Sequence, residues 1–293
     1  MKKALLSLLF FMSFFSILFS QDCNQLFFSE YVEGWSNNKA LEIYNPTGES
    51  IDLSAYSVSR YSNGGTTPST TQLEGSIEPF STFVVCLDKR NPEGTGYEAP
   101  VWDGWYHYTD SITGLPDSIY TEESDLQSRV DLFVNPIYYS GTNPDSAAAY
   151  PNSMYYNGND AVTLELLGTG IVLDLIGKVG EDPGAAWSDS DGNYWTKDHT
   201  LRRKYDVLQG VNTNPIIFDP TLEWDSLPAN TFNGLGEHSC GCWSQDLNEI
   251  SSNFLLYPNP ANKEEKIYIS NESAIKEILI KNQLGKVISI SKE

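Results

Sequence analysis

The sequence predicts an all-β protein assembled from short strands and turns. Aromatic residues are abundant, with 17 Tyr, 13 Phe and 7 Trp in 293 residues, and 22 Gly and 15 Pro provide turn residues. Apolar residues alternate with polar ones over short stretches, which is typical of half-buried strands. The clearest hairpin has arms at 161–166 and 171–176. Its connection, Leu167-Gly168-Thr169-Gly170, contains the glycines that a tight turn favours.

Other strands are predicted wherever alternation is followed by turn residues. In 40–44, for example, Leu41 and Ile43 share one face, and Asn45-Pro46-Thr47-Gly48 then forms a turn. The remaining predicted strands of the body are 26–31, 51–53, 56–61 and 81–87, and 200–205 forms the one basic cluster.

Residues 91–153 are predicted to form a long insertion and not a domain of their own. The stretch is rich in Pro, Gly, Asp and Tyr, and its apolar residues are too sparse to build a separate core. One short helix is predicted over 121–133, where Leu126, Val130 and Phe133 fall at helical spacing.

The N-terminus predicts export. Lys2 and Lys3 precede an uncharged apolar stretch from Ala4 to Ser20, after which polar residues begin. This pattern is that of a signal peptide, residues 1–20, cleaved after Ser20. A membrane anchor is the alternative, although the run is short for a span. We expect no transmembrane segment after cleavage. The formal net charge of −21 argues against nucleic acid as a partner.

Four cysteines in an exported chain predict disulfides. A bridge between Cys240 and Cys242 would strain the bond geometry, so we expect Cys23 and Cys86 each to pair with one member of that couple. A metal site formed by His238, Cys240 and Cys242 is the alternative, but its spacing is not that of the usual zinc sites.

Several segments in the body of the chain, residues 21–242, carry a resemblance to one known family. They include Ser29-Glu30-Tyr31-Val32-Glu33-Gly34, 37–45, Asn157-Gly158-Asn159-Asp160-Ala161-Val162, 174–177, 180–184, His199-Thr200-Leu201-Arg202-Arg203-Lys204 and 223–238. With these segments the body resembles bacterial lamin tail domains, roughly over residues 25 to 240 and interrupted by the insertion. The resemblance implies an immunoglobulin-like β-sandwich and a non-catalytic interaction module.

A polar linker, 243–253, leads to a small β unit at 254–293. This unit resembles the type A sorting domain of the type IX secretion system of Bacteroidetes, through Tyr257-Pro258-Asn259-Pro260-Ala261 and Asn282-Gln283-Leu284-Gly285-Lys286. The family normally continues for further strands, so the sorting unit is expected to be partial. The resemblance implies the type IX machinery as a partner and delivery outside the cell or to the outer-membrane surface.

The aromatic residues of the insertion are the candidate ligand-binding set. Tyr and Trp suit exposed recognition sites, and their rings stack on the apolar faces of sugars. We therefore predict a glycan- or protein-binding site, with packing of the insertion against the sandwich as the alternative. The set comprises Trp102, Trp105, Tyr106 and Tyr108, with Tyr138, Tyr139, Tyr155 and Tyr156 further along.

Two groups of acidic residues could hold a cation. Asp189, Asp191 and Asn193 offer oxygen ligands at alternate positions, which suits Ca²⁺, although an acidic turn is the simpler interpretation. Glu30, Glu42 and Asp160 could cluster on a metal, or they could satisfy buried donors and the basic run at 202–204. We favour the second role for these three. No other cofactor is expected.

We predict a secreted or cell-surface binding module and not an enzyme. Three histidines, His107, His199 and His238, offer no recognisable catalytic triad, and no paired carboxylates stand out. The alternatives are a secreted hydrolase with its site in the 91–153 insertion and a structural component of the envelope.

Overall fold

The computed structural model describes residues 23–95, 97 and 103–244, and the strands of the segment beyond. The predicted signal peptide, Trp102 and the linker from residue 245 lie outside the described residues. The chain divides into two compact units, Met1–Cys242 and Trp243–Glu293. No helix among the described residues has the length and apolar character needed to cross a membrane.

The described residues of the first unit form fourteen strands, one α-helix and four short 3₁₀ turns, and a fifth 3₁₀ turn spans its C-terminal boundary. The strands are β1 (Phe27–Glu33), β2 (Lys39–Tyr44), β3 (Ile51–Asp52), β4 (Tyr56–Tyr61), β5 (Ser69–Gln72), β6 (Ser76–Ile77), β7 (Thr82–Leu87), β8 (Asp103–Thr109), β9 (Pro116–Asp125), β10 (Leu132–Val134), β11 (Ala161–Leu166), β12 (Ile171–Ile176), β13 (His199–Arg203) and β14 (Trp224–Pro228). The helix α1 is Pro144–Ala149, and the 3₁₀ turns are Leu53–Ala55, Ser62–Gly64, Gln127–Arg129, Pro220–Leu222 and Gly241–Ser244.

Two sheets form the all-β, immunoglobulin-like sandwich that the sequence predicts. The larger has the order β10-β7-β2-β1-β13-β14, and the smaller has the order β12-β11-β4-β5. Every pairing within them is antiparallel except that of β10 with β7. The predicted hairpin is confirmed as β11 and β12, which pair from Val162 opposite Ile176 to Leu166 opposite Ile171.

The core lies between the sheets and follows the two-residue period of their strands. Leu41 and Ile43 of β2 point inward together with Val85 of β7, and they meet Val58 and Leu164 of the smaller sheet in one buried cluster. Sheets packed face to face in this way bury one side of every strand.

The outer face of the larger sheet is also buried at β1, β2 and β7, because residues 231–242 cross these strands. We call this stretch the covering segment. Its Phe232 and Leu235 pack against Val84 and Cys86 of β7. Further along, the ring of His238 lies 4.8 Å from that of Tyr44 on β2. Strands β1 and β2 are therefore buried over their whole length.

The insertion is more regular than the sequence predicts, and the helix expected over 121–133 is wrong. Strand β9 continues to Asp125, a 3₁₀ turn follows, and β10 joins the edge of the larger sheet. Leu132 and Val134 pack against the core between the sheets, whereas Phe133 packs on the outer face. Leu126, Val130 and Phe133, the apolar residues that suggested a helical stripe, all join the cluster on the outer face, and of the three only Phe133 belongs to a strand.

The disulfide pattern corrects the expectation of two bridges. Cys23 and Cys242 are bonded, with their Cα atoms 5.6 Å apart. Cys86 and Cys240 are free and buried. Cys86 lies opposite Ala40 on β2, whereas Cys240 packs beside Tyr44. Ala40 and Tyr44 are four residues apart on β2, which corresponds to about 13 Å. Cys86 and Cys240 are therefore too far apart to form a disulfide.

The described residues of the second unit form two antiparallel strand pairs. The strands are β15 (Leu255–Tyr257), β16 (Tyr268–Ser270), β17 (Glu277–Lys281) and β18 (Val287–Lys292), paired β15 with β16 and β17 with β18. These strands agree with the β character predicted for 254–293.

Candidate ligand-binding groove

At one end of the sandwich the inward-facing positions change from apolar to charged. On β2 the face that holds Leu41 begins with Lys39, and on β4 the face that holds Val58 continues to Arg60. Glu33 lies opposite Lys39 on β1. The apolar core therefore stops one residue pair short of this end, and charged side chains from both sheets occupy the space between them.

Asp160 fixes the charged group of the smaller sheet. Its Oδ2 accepts hydrogen bonds from Arg60 Nε at 2.7 Å and from the Asn157 backbone N at 2.8 Å. Its Oδ1 accepts from the Asn63 backbone N at 2.9 Å. Trp187 Nε1 donates to its backbone oxygen at 3.2 Å. The Asp160 side chain is fully buried, so this carboxylate sets the positions of Arg60 and Asn157 from within the fold.

Glu33 fixes the charged group of the larger sheet. One carboxylate oxygen forms an ion pair with Lys39 Nζ, and the other accepts a hydrogen bond from the Asp198 backbone N. Lys39 Nζ also donates to the Gly34 carbonyl at 3.3 Å. Both side chains of the ion pair are less than a tenth exposed, so the lysine is held in place and Glu33 balances its positive charge.

The loop between β1 and β2 is held by one amide. Asn230 Oδ1 accepts from the Trp35 backbone N and from Asn38 Nδ2, each at 3.0 Å. Ser36 adopts a left-handed conformation with φ of 54°. A left-handed non-glycine residue costs energy and persists where its surroundings determine it. The loop is therefore ordered before any ligand arrives.

These elements surround an open groove of about 310 Å³. Its described lining is mostly polar, with two cations, two tyrosines and no carboxylate. The rings of Tyr138 and Tyr155 meet edge to face with centroids 5.0 Å apart. The residues are Ser36, Asn37, Lys39, Arg60, Thr95, Tyr138, Tyr155 and Asn157.

Trp105 and Tyr108 of the predicted aromatic set are not among the described residues that line the groove, and Trp102 lies outside the described residues. Trp105, Tyr106 and Tyr108 belong to β8, which pairs with β9 as a separate hairpin. The side chains of Trp105 and Tyr108 fall on opposite faces of this strand, because neighbouring strand positions alternate. Trp105 packs near Tyr120 with centroids 5.4 Å apart. Ligand binding by these residues remains a prediction, and only Tyr138 and Tyr155 of the wider set line the groove.

Asp189 closes a hydrogen-bonded turn. Its Oδ1 accepts from the backbone N of Asp191 at 3.0 Å and of Asn193 at 2.9 Å, and its Oδ2 accepts from Asn193 Nδ2 at 2.9 Å. These bonds from Asn193 lower the pKa of Asp189 to about 2. Calcium would have to displace these donors, so the geometry favours the acidic turn, and calcium binding remains only a prediction.

The acids Glu30, Glu42 and Asp160 have the structural role that we favoured. Glu30 pairs with Arg202 at 2.5 Å, and Asp160 pairs with Arg60. No group of three or more His, Cys, Asp or Glu side chains in the described part of the chain could hold a metal ion.

The groove residues Lys39, Arg60 and Asn157 were missed because they come from three separate segments. One signal was available in the alternation itself. Extending the face of Leu41 and Ile43 by one step places Lys39 on the core side, where an unpaired charge is costly. A charged residue at an inward strand position indicates a buried partner or an opening between the sheets.

A family model described as "Lamin Tail Domain" matches residues 20–178. No curated protein matches the chain. Among solved structures, the crystal structure of a DUF4876 family protein from Bacteroides thetaiotaomicron is similar at 12% sequence identity. That similarity covers 74% of this chain and 71% of that chain with a TM-score of 0.33, which is too low to support a conclusion about fold or function.

Proposed function

The chain belongs to the lamin tail domain family, and we propose that it is a non-catalytic binding module whose recognition site is the groove. The observation that carries the proposal is the polar lining of the groove at this end of the sandwich. There Lys39 and Arg60 are held by buried carboxylates beside two tyrosines and several neutral polar side chains. Loops on a rigid β scaffold are where recognition sites commonly lie.

The state of the charged side chains supports binding over catalysis. A general base or nucleophile must be able to change its protonation or attack a substrate. Lys39 and Arg60 are engaged in ion pairs, and no histidine is among the described residues that line the groove. Tyr155 has a pKa raised by burial, which disfavours its ionised form. The groove therefore offers hydrogen bonds and ring surfaces without a reactive group.

We place the module outside the cell as part of the proposal. The bond between Cys23 and Cys242 suits an oxidising compartment. The signal-like residues 1–20 and the resemblance of 254–293 to a type IX sorting unit point the same way, with the secretion machinery as a transient partner. The ligand would then be a glycan or a protein at the cell surface.

A binding screen tests the proposal with variants matched for exposure. The full chain is applied to glycan and surface-protein arrays beside Tyr138→Ala, Tyr150→Ala and Trp105→Ala. Tyr138 and Tyr150 are each 44% exposed, but Tyr150 does not line the groove. We expect saturable binding that Tyr138→Ala weakens and Tyr150→Ala preserves. If only Trp105→Ala abolishes binding, the site lies on the β8–β9 hairpin. If the full chain binds nothing on the arrays, a structural envelope role is favoured.

A further inference from the structure

We propose that the groove binds a neutral oligosaccharide, an inference that rests on the proposed function and names its ligand. Three features carry it: the balance of charge in the groove, the fixed hydrogen-bond donors and the tyrosine pair.

The described lining of the groove has cations but no excess charge. Lys39 is balanced by Glu33 and Arg60 by Asp160, and all four residues are buried. The whole chain carries a formal net charge of −21, which repels polyanions at long range. A uronic-acid or sulfated glycan would therefore meet a locally neutral site on an acidic protein. A neutral glycan meets no such repulsion.

The ion pair with Asp160 also holds the charged hydrogen-bond donors of Arg60 in fixed directions. Arg60 donates through Nε to Asp160 and through Nη2 to Ser62 Oγ at 3.1 Å. Its Nη1 has no hydrogen-bond partner among the described residues. Hydrogen bonds from a charged donor to a neutral acceptor are stronger than those between neutral groups. A sugar hydroxyl can accept such a bond without bringing a charge.

The remaining polar groups suit hydroxyls that both donate and accept. Ser36, Asn37, Thr95 and Asn157 each carry a side chain with donor and acceptor capacity. The backbone of Asn157 is fixed by Asp160, the carboxylate that also fixes Arg60. Two contributors to the site are thus held relative to each other, which lowers the entropy lost on binding.

The tyrosines provide the apolar part of the site. Tyr138 is 44% exposed, and its ring meets Tyr155 edge to face, which fixes its orientation. The Tyr138 backbone N donates to Thr95 Oγ1, another lining residue. A pyranose ring has one apolar face and a polar rim, so it can stack on an aromatic ring while its hydroxyls reach the polar side chains. Apart from these tyrosines, the described lining has no apolar side chain that would receive those of a peptide.

The size of the groove fits a short saccharide. Its volume of about 310 Å³ is at the lower end of the range for small-molecule sites. The groove is open to solvent, so a glycan bound there need not be enclosed. We therefore expect recognition of a few sugar units within a longer chain.

The test compares neutral and acidic glycans that share one backbone. The full chain is titrated calorimetrically with methyl-esterified galacturonan oligomers, with the same oligomers after de-esterification, and with neutral gluco-, galacto-, manno- and xylo-oligosaccharides. We expect saturable binding to at least one neutral glycan and weaker binding to the de-esterified oligomer than to its ester. Binding to the neutral glycan should change less than about twofold between about 50 and 500 mM NaCl, because no charge pair forms with the ligand.

Variants assign that binding to the groove. Asn157→Ala and Tyr138→Ala should each weaken it about 3- to 10-fold, equivalent to one hydrogen bond or one ring contact. Tyr150→Ala should leave it unchanged. Circular dichroism establishes that each variant is folded.

The outcomes separate the inference from the proposed function. Preferential, salt-sensitive binding of the de-esterified oligomer overturns the neutral-ligand inference and leaves the groove as the site. The chain could instead bind a surface protein and no saccharide, with binding that Tyr138→Ala weakens. That result also overturns the neutral-ligand inference and leaves the groove as the site. If no ligand depends on Tyr138 or Asn157, both the inference and the proposed function fail.

Discussion

Glu30 and Glu42 lie directly opposite each other on β1 and β2, and neither is exposed to solvent. Glu30 Oε1 accepts from Arg202 Nε at 2.5 Å, while its Oε2 has no hydrogen-bond partner in the part of the chain that the structure describes. Glu42 accepts from Ser29 Oγ at 2.6 Å and from the Gly236 backbone N at 2.5 Å. Two acids thus share a buried site beneath the covering segment with a single arginine in direct contact.

Burial raises the pKa of both acids. The pKa of Glu30 rises from 4.5 to about 7, opposed by the charge of Arg202. The pKa of Glu42 rises from 4.5 to about 8, through burial and then the charge of Glu30. A raised pKa in the folded state means that their contribution to stability is complete below pH 4.5. It is lost as the pH rises through about 7 to 8.

We therefore expect Glu42→Gln to flatten the dependence of stability on pH. The amide cannot ionise, so the variant should exceed the wild type in unfolding free energy at about pH 8.5 by roughly 1–3 kcal/mol. At about pH 5 the two should agree within roughly 1 kcal/mol. Urea denaturation at both pH values measures the difference. Glu49→Gln, at an exposed position, is the control. Parallel pH profiles for wild type and Glu42→Gln would contradict this explanation.

A second prediction concerns the fully buried ion pair of Asp174 and Arg203. Arg203 Nη2 donates to Asp174 Oδ2 at 2.6 Å, and neither side chain is exposed. Asp174→Asn leaves Arg203 with only its contact to the partly exposed Glu223, 3.1 Å from Nη1, so we expect a loss of about 3 kcal/mol in unfolding free energy. Glu181→Gln, which breaks an exposed pair with Lys178, should cost less than about 1 kcal/mol. Equal losses in the two variants would argue against this difference in burial.

The disulfide between Cys23 and Cys242 predicts which cysteine thiols react before and after reduction. Unfolded without reductant, the protein should expose two reactive thiols, those of Cys86 and Cys240, and reduction should expose two more. Replacing both Cys23 and Cys242 by Ser should lower the unfolding free energy by about 4 kcal/mol, because the bond closes a long loop. As a control, Cys86→Ala should cost roughly 1 kcal/mol, for the lost packing of a small side chain. An unreduced protein without reactive thiols would restore the expectation of two bridges.

Calcium should not stabilise the protein through Asp189. A saturated site at 100 times its dissociation constant would add about 2.7 kcal/mol. Since the carboxylate already accepts four hydrogen bonds, we expect the same melting temperature in millimolar calcium and in chelator. Differential scanning calorimetry of wild type and Asp189→Asn measures this. A calcium-dependent rise in the wild type that is absent from the variant would re-establish the metal site.

Much of the sandwich was predictable because strand periodicity is local. The alternation in 40–44 and the glycine turn at 167–170 determine β2 and the β11–β12 hairpin without reference to distant residues. Strand β10 was not predictable, because Leu132–Val134 is too short to display a period. It becomes a strand only by joining the edge of β7.

The groove was harder to predict because its residues converge only in the folded chain. Asp160 and Arg60 are 100 positions apart, and nothing near either residue identifies the other as its partner. The cysteines show the same limitation, since which of them meet depends on where residues 231–242 cross β2. Local patterns determine strands, whereas pairings across the sandwich depend on the register between sheets.

The bond between Cys23 and Cys242 joins positions 219 residues apart at the two boundaries of the sandwich. A pulling force applied before Cys23 and after Cys242 would pass through one covalent link. The strand ladders between them would bear none of that load. While the bond remains oxidised, tension along the chain cannot unravel the groove, and the module is mechanically shielded.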